Sequence, residues 1–216
     1  GVDPDRWPES TAETRAAART QFHLPPDAPT AVCVARLEAI KGHRMLLAAL
    51  ADVRRNCPQF RLLLAGDGQE RAALEHMTAD LQLAANVTFL GRCDPRSALA
   101  AADVFVLASQ HESFGFAPVE AMLTGLPVIR TATEGATDQV RPGETGAIVP
   151  VGDAGALADA LADVAARPAE WRRRGQAARA DAAARFTMAT MAEKVEAVYR
   201  EVLAEDRANH AAGGRP

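Results

Sequence analysis

Residues 104–123 read VFVLASQHESFGFAPVEAML. Val104–Ala108 is a continuous apolar run, the mark of a strand buried on both faces. The polar stretch after it shows no periodicity. Pro118 suits the first turn of a helix, where its missing N–H costs little, and Ala117–Leu123 reads as that helix. A strand that passes through a polar loop into a helix is one βα unit. Upstream, the same unit recurs three times. Thr30–Arg36 (TAVCVAR) precedes a helix at His43–Asn56 that carries Leu46, Leu47, Leu50 and Val53 on one face. Arg61–Ala65 precedes Glu70–Leu81, and Asn86–Leu90 precedes a short helix from Asp94-Pro95 to about Ala102. Downstream, Pro127–Arg130 and Ala147–Val149 read as strands, then Ala154–Ala166, Ala169–Arg185 and Met188–Glu205 as helices.

Strands alternating with helices through short connections require right-handed crossovers and a parallel sheet covered on both faces. The expected fold is α/β: a Rossmann-like, doubly wound parallel sheet of about six strands with helices at the C-terminal end. Residues 1–29 read as an opening segment with a helix from about Thr11 to Gln21, started by capping-box spacing at Ser10 and Glu13 and stopped by Pro25, Pro26 and Pro29. Residues 209–216 (NHAAGGRP) read as a frayed tail.

The 216 residues are 48% apolar and 24% charged, which fits a globular chain and excludes a wholly disordered or collagen-like one. No run approaches the roughly 18 apolar residues needed to span a bilayer. A net charge of −4 argues against nucleic acid as a partner. Cys33, Cys57 and Cys93 form no C-x-x-C and no zinc spacing, so they read as structural thiols in a reducing cytoplasm. The chain opens on Gly-Val-Asp with no signal peptide, and residues upstream of Gly1 are expected.

In sheets of this kind ligands bind beyond the carboxyl ends of the strands, and the unusual residues of this chain lie in those loops. Arg36 and Lys41 flank a helix start. Cations there are misplaced against the helix dipole unless an anion lies between them. Either the pair clamps a phosphate, or both are surface cations partnered by Glu38. Gly66-Asp67-Gly68 is a turn and not a dinucleotide fingerprint. In the fourth loop Glu112 precedes the helix among aromatic residues and Glu120 lies one turn inside it. Glu120 reads as a ligand for hydroxyl groups or as a carboxylate favoured by the dipole. Phe114 and Phe116 read as pocket walls or as core. His111 is placed to polarise Glu112 or to touch a sugar.

Glu112 and Glu120 stand in an E-x7-E pattern within ESFGFAPVEAM. This resembles the signature of the family-four retaining glycosyltransferases, also called glycosyl transferases group one. VARLEAIKGH, LLLAGDGQERAALE, NVTFLGRCD, GLPVIRT and GETGAIVPVGDAGALADAL resemble the family's successive segments. GVDPDRW resembles the point where the second domain of its GT-B fold begins, so the likeness covers about residues 1–205. The resemblance implies that Arg36 and Lys41 neutralise the diphosphate of a nucleotide-sugar donor and that Glu112 contacts the donor sugar. It implies that Glu120 holds the ribose, that the backbone of Phe114, Gly115 and Phe116 meets sugar and phosphate oxygens, and that the backbone near Gly91 and Arg92 meets the base. No metal or cofactor is implied, and Asp3-Pro4-Asp5 reads as a D-x-D by letters only. The family often carries two glycines and a Glu after the fifth strand. Here Glu134-Gly135-Ala136-Thr137-Asp138 stands instead, so the donor loop is where a departure is expected.

The implied organisation is an interdomain segment at 1–29, a nucleotide-sugar-binding domain at 30–186, a closing helix at 187–208 that returns to an absent N-terminal acceptor domain, and a tail at 209–216. Such a domain is expected to bind an NDP-sugar, to expose apolar surface on the closing helix, and to transfer nothing alone. Trp171-Arg172-Arg173-Arg174 reads as a solvated helix face with Trp171 inward, or as a peripheral membrane contact in the full-length protein. Two other enzymes are weighed. The intact E-x7-E pattern argues against a nucleotide-sugar epimerase, and the position of Lys194 in the closing helix against a phosphorylase. A non-catalytic nucleotide-sugar-binding module is the alternative from another class.

Overall fold

The computed structural model describes residues 1–213, with side chains through Ala204. Six strands form one sheet: β1 (Thr30–Val34), β2 (Arg61–Ala65), β3 (Val87–Gly91), β4 (Val104–Leu107), β5 (Val128–Thr131) and β6 (Gly146–Val149). Their order is β3-β2-β1-β4-β5-β6 and every pairing is parallel. The chain reverses its winding between β1 and β4, which opens a crevice at their carboxyl ends.

The helices are α1 (Ala12–Gln21), α2 (His43–Asn56), α3 (Arg71–Asp80), α4 (Arg96–Ala101), α5 (Ala117–Leu123), α6 (Ala136–Gln139), α7 (Ala154–Ala166), α8 (Pro168–Arg185) and α9 (Met188–Gly213). Strand side chains alternate between two cores. Ala31, Cys33, Leu62, Leu64, Val104 and Val106 meet α2, α3 and α7 on one face. Val32, Leu63, Phe105 and Leu107 meet α1, α4, α5 and α8 on the other. This explains why most strand positions are apolar, and each fully buried Leu or Phe contributes roughly 1.5–3 kcal/mol.

Several local expectations are corrected. β1 stops at Val34, which leaves Ala35 and Arg36 in the loop, β4 stops at Leu107, β3 and β5 are each displaced by one residue, and β6 starts one residue earlier. Helix α1 is capped one residue later than its spacing suggested. Thr11 Oγ1 accepts from Thr14 N at 3.1 Å and Thr14 Oγ1 accepts from Thr11 N at 2.9 Å. Ser10 instead donates its N–H to Thr124 O. Helix α6 was not foreseen, because four residues are too few to show a period. Helix α9 runs past Glu205, so residues 209–213 of the expected tail are helical and 214–216 lie outside the described residues. Alanines at 204, 208, 211 and 212 favour helix, and no Gly or Pro interrupts it before Gly213.

The opening segment is fastened to the sheet. Buried Arg19 donates to the carbonyls of Ala101 and Ala28 (2.9 and 2.5 Å), and Arg15 pairs with Asp103 at 2.7 Å. Val2 pairs with the α8–α9 junction, its N–H donating to Phe186 O at 2.8 Å. Trp171 of α8 is buried, Arg174 stacks on it and pairs with Glu170, and Arg172 and Arg173 are exposed.

Candidate functional site

The crevice at the winding switch brings the first and fourth βα loops together. Lys41 Nζ lies 2.7 Å from Glu112 Oε2, across 71 residues of sequence, with both side chains mostly shielded from solvent. Arg36 behaves differently. Its side chain is 73% exposed and pairs with Glu38 at 2.6 Å. The two cations of that loop therefore divide: Lys41 faces the crevice, and Arg36 stands at its rim beside Glu38. The Gly66–Gly68 turn supports the first loop from below. Leu37 N donates to Asp67 O at 3.0 Å and Glu70 N to Leu37 O at 2.9 Å.

The fourth loop wraps Glu112 against Gly115, whose Cα region lies beside the Glu112 carboxyl. Phe114 is half-buried and meets Phe186 edge to face, with ring centroids 5.5 Å apart. Phe116 is 57% exposed. Of the two aromatics, then, Phe114 joins the core and Phe116 faces solvent. Among the described residues, the N–H groups of Phe114, Gly115 and Phe116 have no hydrogen-bond partner. Glu120 of α5 is half-buried and forms no ion pair among the described residues. Burial pushes its carboxyl above the usual range, and the Arg6 charge opposes that only partly. Gly91 closes β3 and its carbonyl accepts from Gly66 N at 2.8 Å, while Arg92 is exposed two strands from the Lys41–Glu112 pair. Asp3 caps the opening turn by accepting from Asp5 N at 3.1 Å.

A cavity of about 350 Å³ opens at the carboxyl edge, lined by Gln110, His111, Glu112, Thr133 and Glu134. A larger groove of about 590 Å³ lies at the amino edge, lined by Arg15, Asp27, Asp103 and Arg172. We take the smaller cavity as the site, because Glu112 and the loops after β4 and β5 line it and Lys41 pairs with Glu112, whereas none of these loops lines the larger groove.

The departure at residues 134–138 has a steric explanation. Glu134 is exposed and takes a place on the cavity rim. Gly135 has φ +71°, and a Cβ there would lie 2.2 Å from Ser113 O. The position that must stay glycine is the one pressed against the fourth loop.

These features were compared with known proteins. The sequence model described as Glycosyl transferases group 1 matches residues 14–181. This chain belongs to that family. It is 37% identical over 157 residues to the lipopolysaccharide core biosynthesis glycosyltransferase LpsE of Rhizobium meliloti, covering 72% of this chain and 45% of that protein. It is 34% identical over 219 residues to D-inositol 3-phosphate glycosyltransferase of Mycolicibacterium smegmatis, covering 97% and 48%. Among solved structures it superposes on Anabaena Alr3699/HepE in complex with UDP with a TM-score of 0.86 at 27% identity, covering 93% of this chain and 56% of that one. Sucrose-phosphate synthase from Thermosynechococcus elongatus gives 0.82 at 35% identity, covering 95% and 52%. The fold is that of one Rossmann-like half of the GT-B architecture. The chain spans about half the length of the curated relatives it matches.

Within this glycosyl transferase group 1 domain, sequence reasoning overlooked what lies behind the fourth loop. Arg130 at the end of β5 is 1% exposed and Gln139 of α6 is fully buried. The Arg130 guanidinium donates to Gln139 Oε1, to Phe114 O at 3.3 Å and to Thr133 Oγ1 at 2.9 Å. Gln139 Nε2 donates to Gly115 O at 2.9 Å. The available signal was a charged residue closing the apolar strand of GLPVIRT. No described helix is long and apolar enough to cross a membrane.

Proposed function

We propose that this chain is the donor-binding half of a retaining, metal-independent glycosyltransferase, which moves a hexosyl group from a nucleotide diphosphate sugar to an acceptor held by another domain. The observation that carries the proposal is the meeting of Lys41 and Glu112 at the winding switch, a cation and a carboxylate beside three free backbone N–H groups. Glu112 neutralises Lys41. With donor present, Lys41 and Arg36 face the diphosphate, Glu112 takes sugar hydroxyls, and Glu120 takes the ribose hydroxyls. The backbone near Gly91 and Arg92 receives the base.

Cleaving the bond between sugar and diphosphate puts negative charge on the leaving phosphate. Fixed cations and N–H groups stabilise that charge most in a site closed to water. Closure needs a second domain. The apolar face of α9, where Met191, Val195, Val198, Tyr199 and Val202 are 45–67% exposed, offers a surface for it. Two Rossmann-like halves closing over the donor agree with a chain half the length of its relatives, and the chain alone is expected not to turn over. The free cysteines agree with work in the cytoplasm.

Calorimetry with UDP, GDP and ADP tests the proposal. One nucleotide is expected to bind best, with Arg36→Ala and Glu120→Ala each weakening it by about three- to tenfold. If no nucleotide diphosphate binds at millimolar concentration, or if both variants bind like the parent chain, the proposal is wrong.

A further inference from the structure

Arg130 is a buried cation without a counter-charge. Its three partners, Gln139, Thr133 and the Phe114 carbonyl, are neutral, its Nε has none, and it forms no ion pair among the described residues. A lone buried charge is held at a cost in stability, so its retention calls for a purpose.

The peptide geometry supplies one. In a trans peptide the C=O of one residue and the N–H of the next point in opposite directions, and none of the peptide bonds here is cis. Arg130 draws the Phe114 carbonyl inward, which turns the Gly115 N–H outward. Gln139 draws the Gly115 carbonyl inward, which turns the Phe116 N–H outward. These are two of the N–H groups left without partners. We propose that Arg130 and Gln139 are positioning residues for a diphosphate: they hold the Phe114–Phe116 backbone with its N–H groups facing the crevice, and the unpaired Arg130 charge lies behind that loop as a buried counter-charge for the anion. The anion's identity rests on the donor-binding proposal above, and the geometry of the loop does not. Burial holds the Arg130 guanidinium below its usual range while the charge of Glu112 opposes the shift, as expected for a cation within electrostatic reach of the site.

The test uses the 216-residue chain with Arg130→Met, Arg130→Lys and Gln139→Leu. Affinities for UDP against UMP and for GDP against GMP are read by calorimetry, and the order of the Gly115 and Phe116 amides by ¹⁵N relaxation without ligand. Arg130→Met is expected to weaken the bound diphosphate about tenfold and the matching monophosphate less than about twofold. Arg130→Lys recovers part of the loss, because it keeps the charge without the fork. In Arg130→Met and Gln139→Leu the two amides fall from rigid order parameters near about 0.85 to below about 0.6. Equal losses of mono- and diphosphate, or amides as rigid as in the parent, overturn the inference. If Arg130→Met does not fold, Gln139→Leu decides by the same readouts. If the parent binds no nucleotide yet the amides loosen as expected, the donor-binding proposal fails and the positioning role stands.

Discussion

Gly135→Ala is expected to harm the site more than the fold, and a second glycine supplies its control. Gly135 and Gly143 both have positive φ, +71° and +83°. A Cβ at Gly143 meets nothing within 4 Å, whereas at Gly135 it falls 2.2 Å from Ser113 O. Gly143→Ala therefore reports backbone strain alone, about 1 kcal/mol. In a chain of this size that lowers Tm by roughly 2–4 °C. Gly135→Ala carries the same strain and the same gain from a stiffer unfolded chain, so the difference between the two variants isolates the clash. Real contacts keep about 3.0 Å, so Ser113 and α6 must separate by about 0.8 Å. Overpacking of that kind costs about 1–3 kcal/mol, a further Tm loss of several degrees. The same movement displaces the loop bearing Glu112 and the free N–H groups. A misplacement near 1 Å costs up to about a hundredfold in a positioned site, so nucleotide affinity is expected to fall at least tenfold in Gly135→Ala and to hold in Gly143→Ala. Thermal melts and calorimetry on both variants are the assay. Matching melts and matching affinities would refute the reasoning.

Two further outcomes concern stability. His43 is buried at the start of α2 with Nε2 3.8 Å from Cys33 Sγ, and burial pushes it down from 6.5 to about 4. Its folded-state value is below the unfolded one, so its contribution is complete above pH 6.5 and is lost as pH falls toward 4. Roughly 3 kcal/mol should disappear across that window, and urea melts of His43→Leu should show a shallower slope there than the parent. Asp181, with 4% side-chain exposure, pairs with both Arg141 and Arg185, and Arg185 in turn donates to Asp138 O of α6. Asp181→Asn should cost about 2 kcal/mol, read from the urea midpoint, because it leaves partly buried guanidinium groups without their anion. A midpoint unchanged within error would mean that the pairs contribute nothing net.

Local pattern determined much of this protein. Apolar runs within 30–36, 61–65, 104–108 and 127–130 fit strands covered on both faces, and helical spacing lies between them, so the alternation of strand and helix was legible. So was the parallel sheet. The E-x7-E stretch and the loop of Arg36 and Lys41 were legible as charged residues gathered beyond strand ends, and the family resemblance attached a donor-binding role to them. Tertiary structure decided the rest. Letters do not tell which strands become neighbours, and only the order β3-β2-β1-β4-β5-β6 carries Lys41 to Glu112. Nor do they separate two cations five residues apart, of which one turned inward and the other met Glu38 at the surface. Arg130 looked like the end of a strand. Its meaning arose when the β5–α6 connection folded over the fourth loop and shut the guanidinium in with Gln139 and the Phe114 carbonyl. Periodicity is a property of neighbours along the chain and was readable from it. Burial and pairing depend on residues brought together from far apart, and they exist only once the sheet has closed.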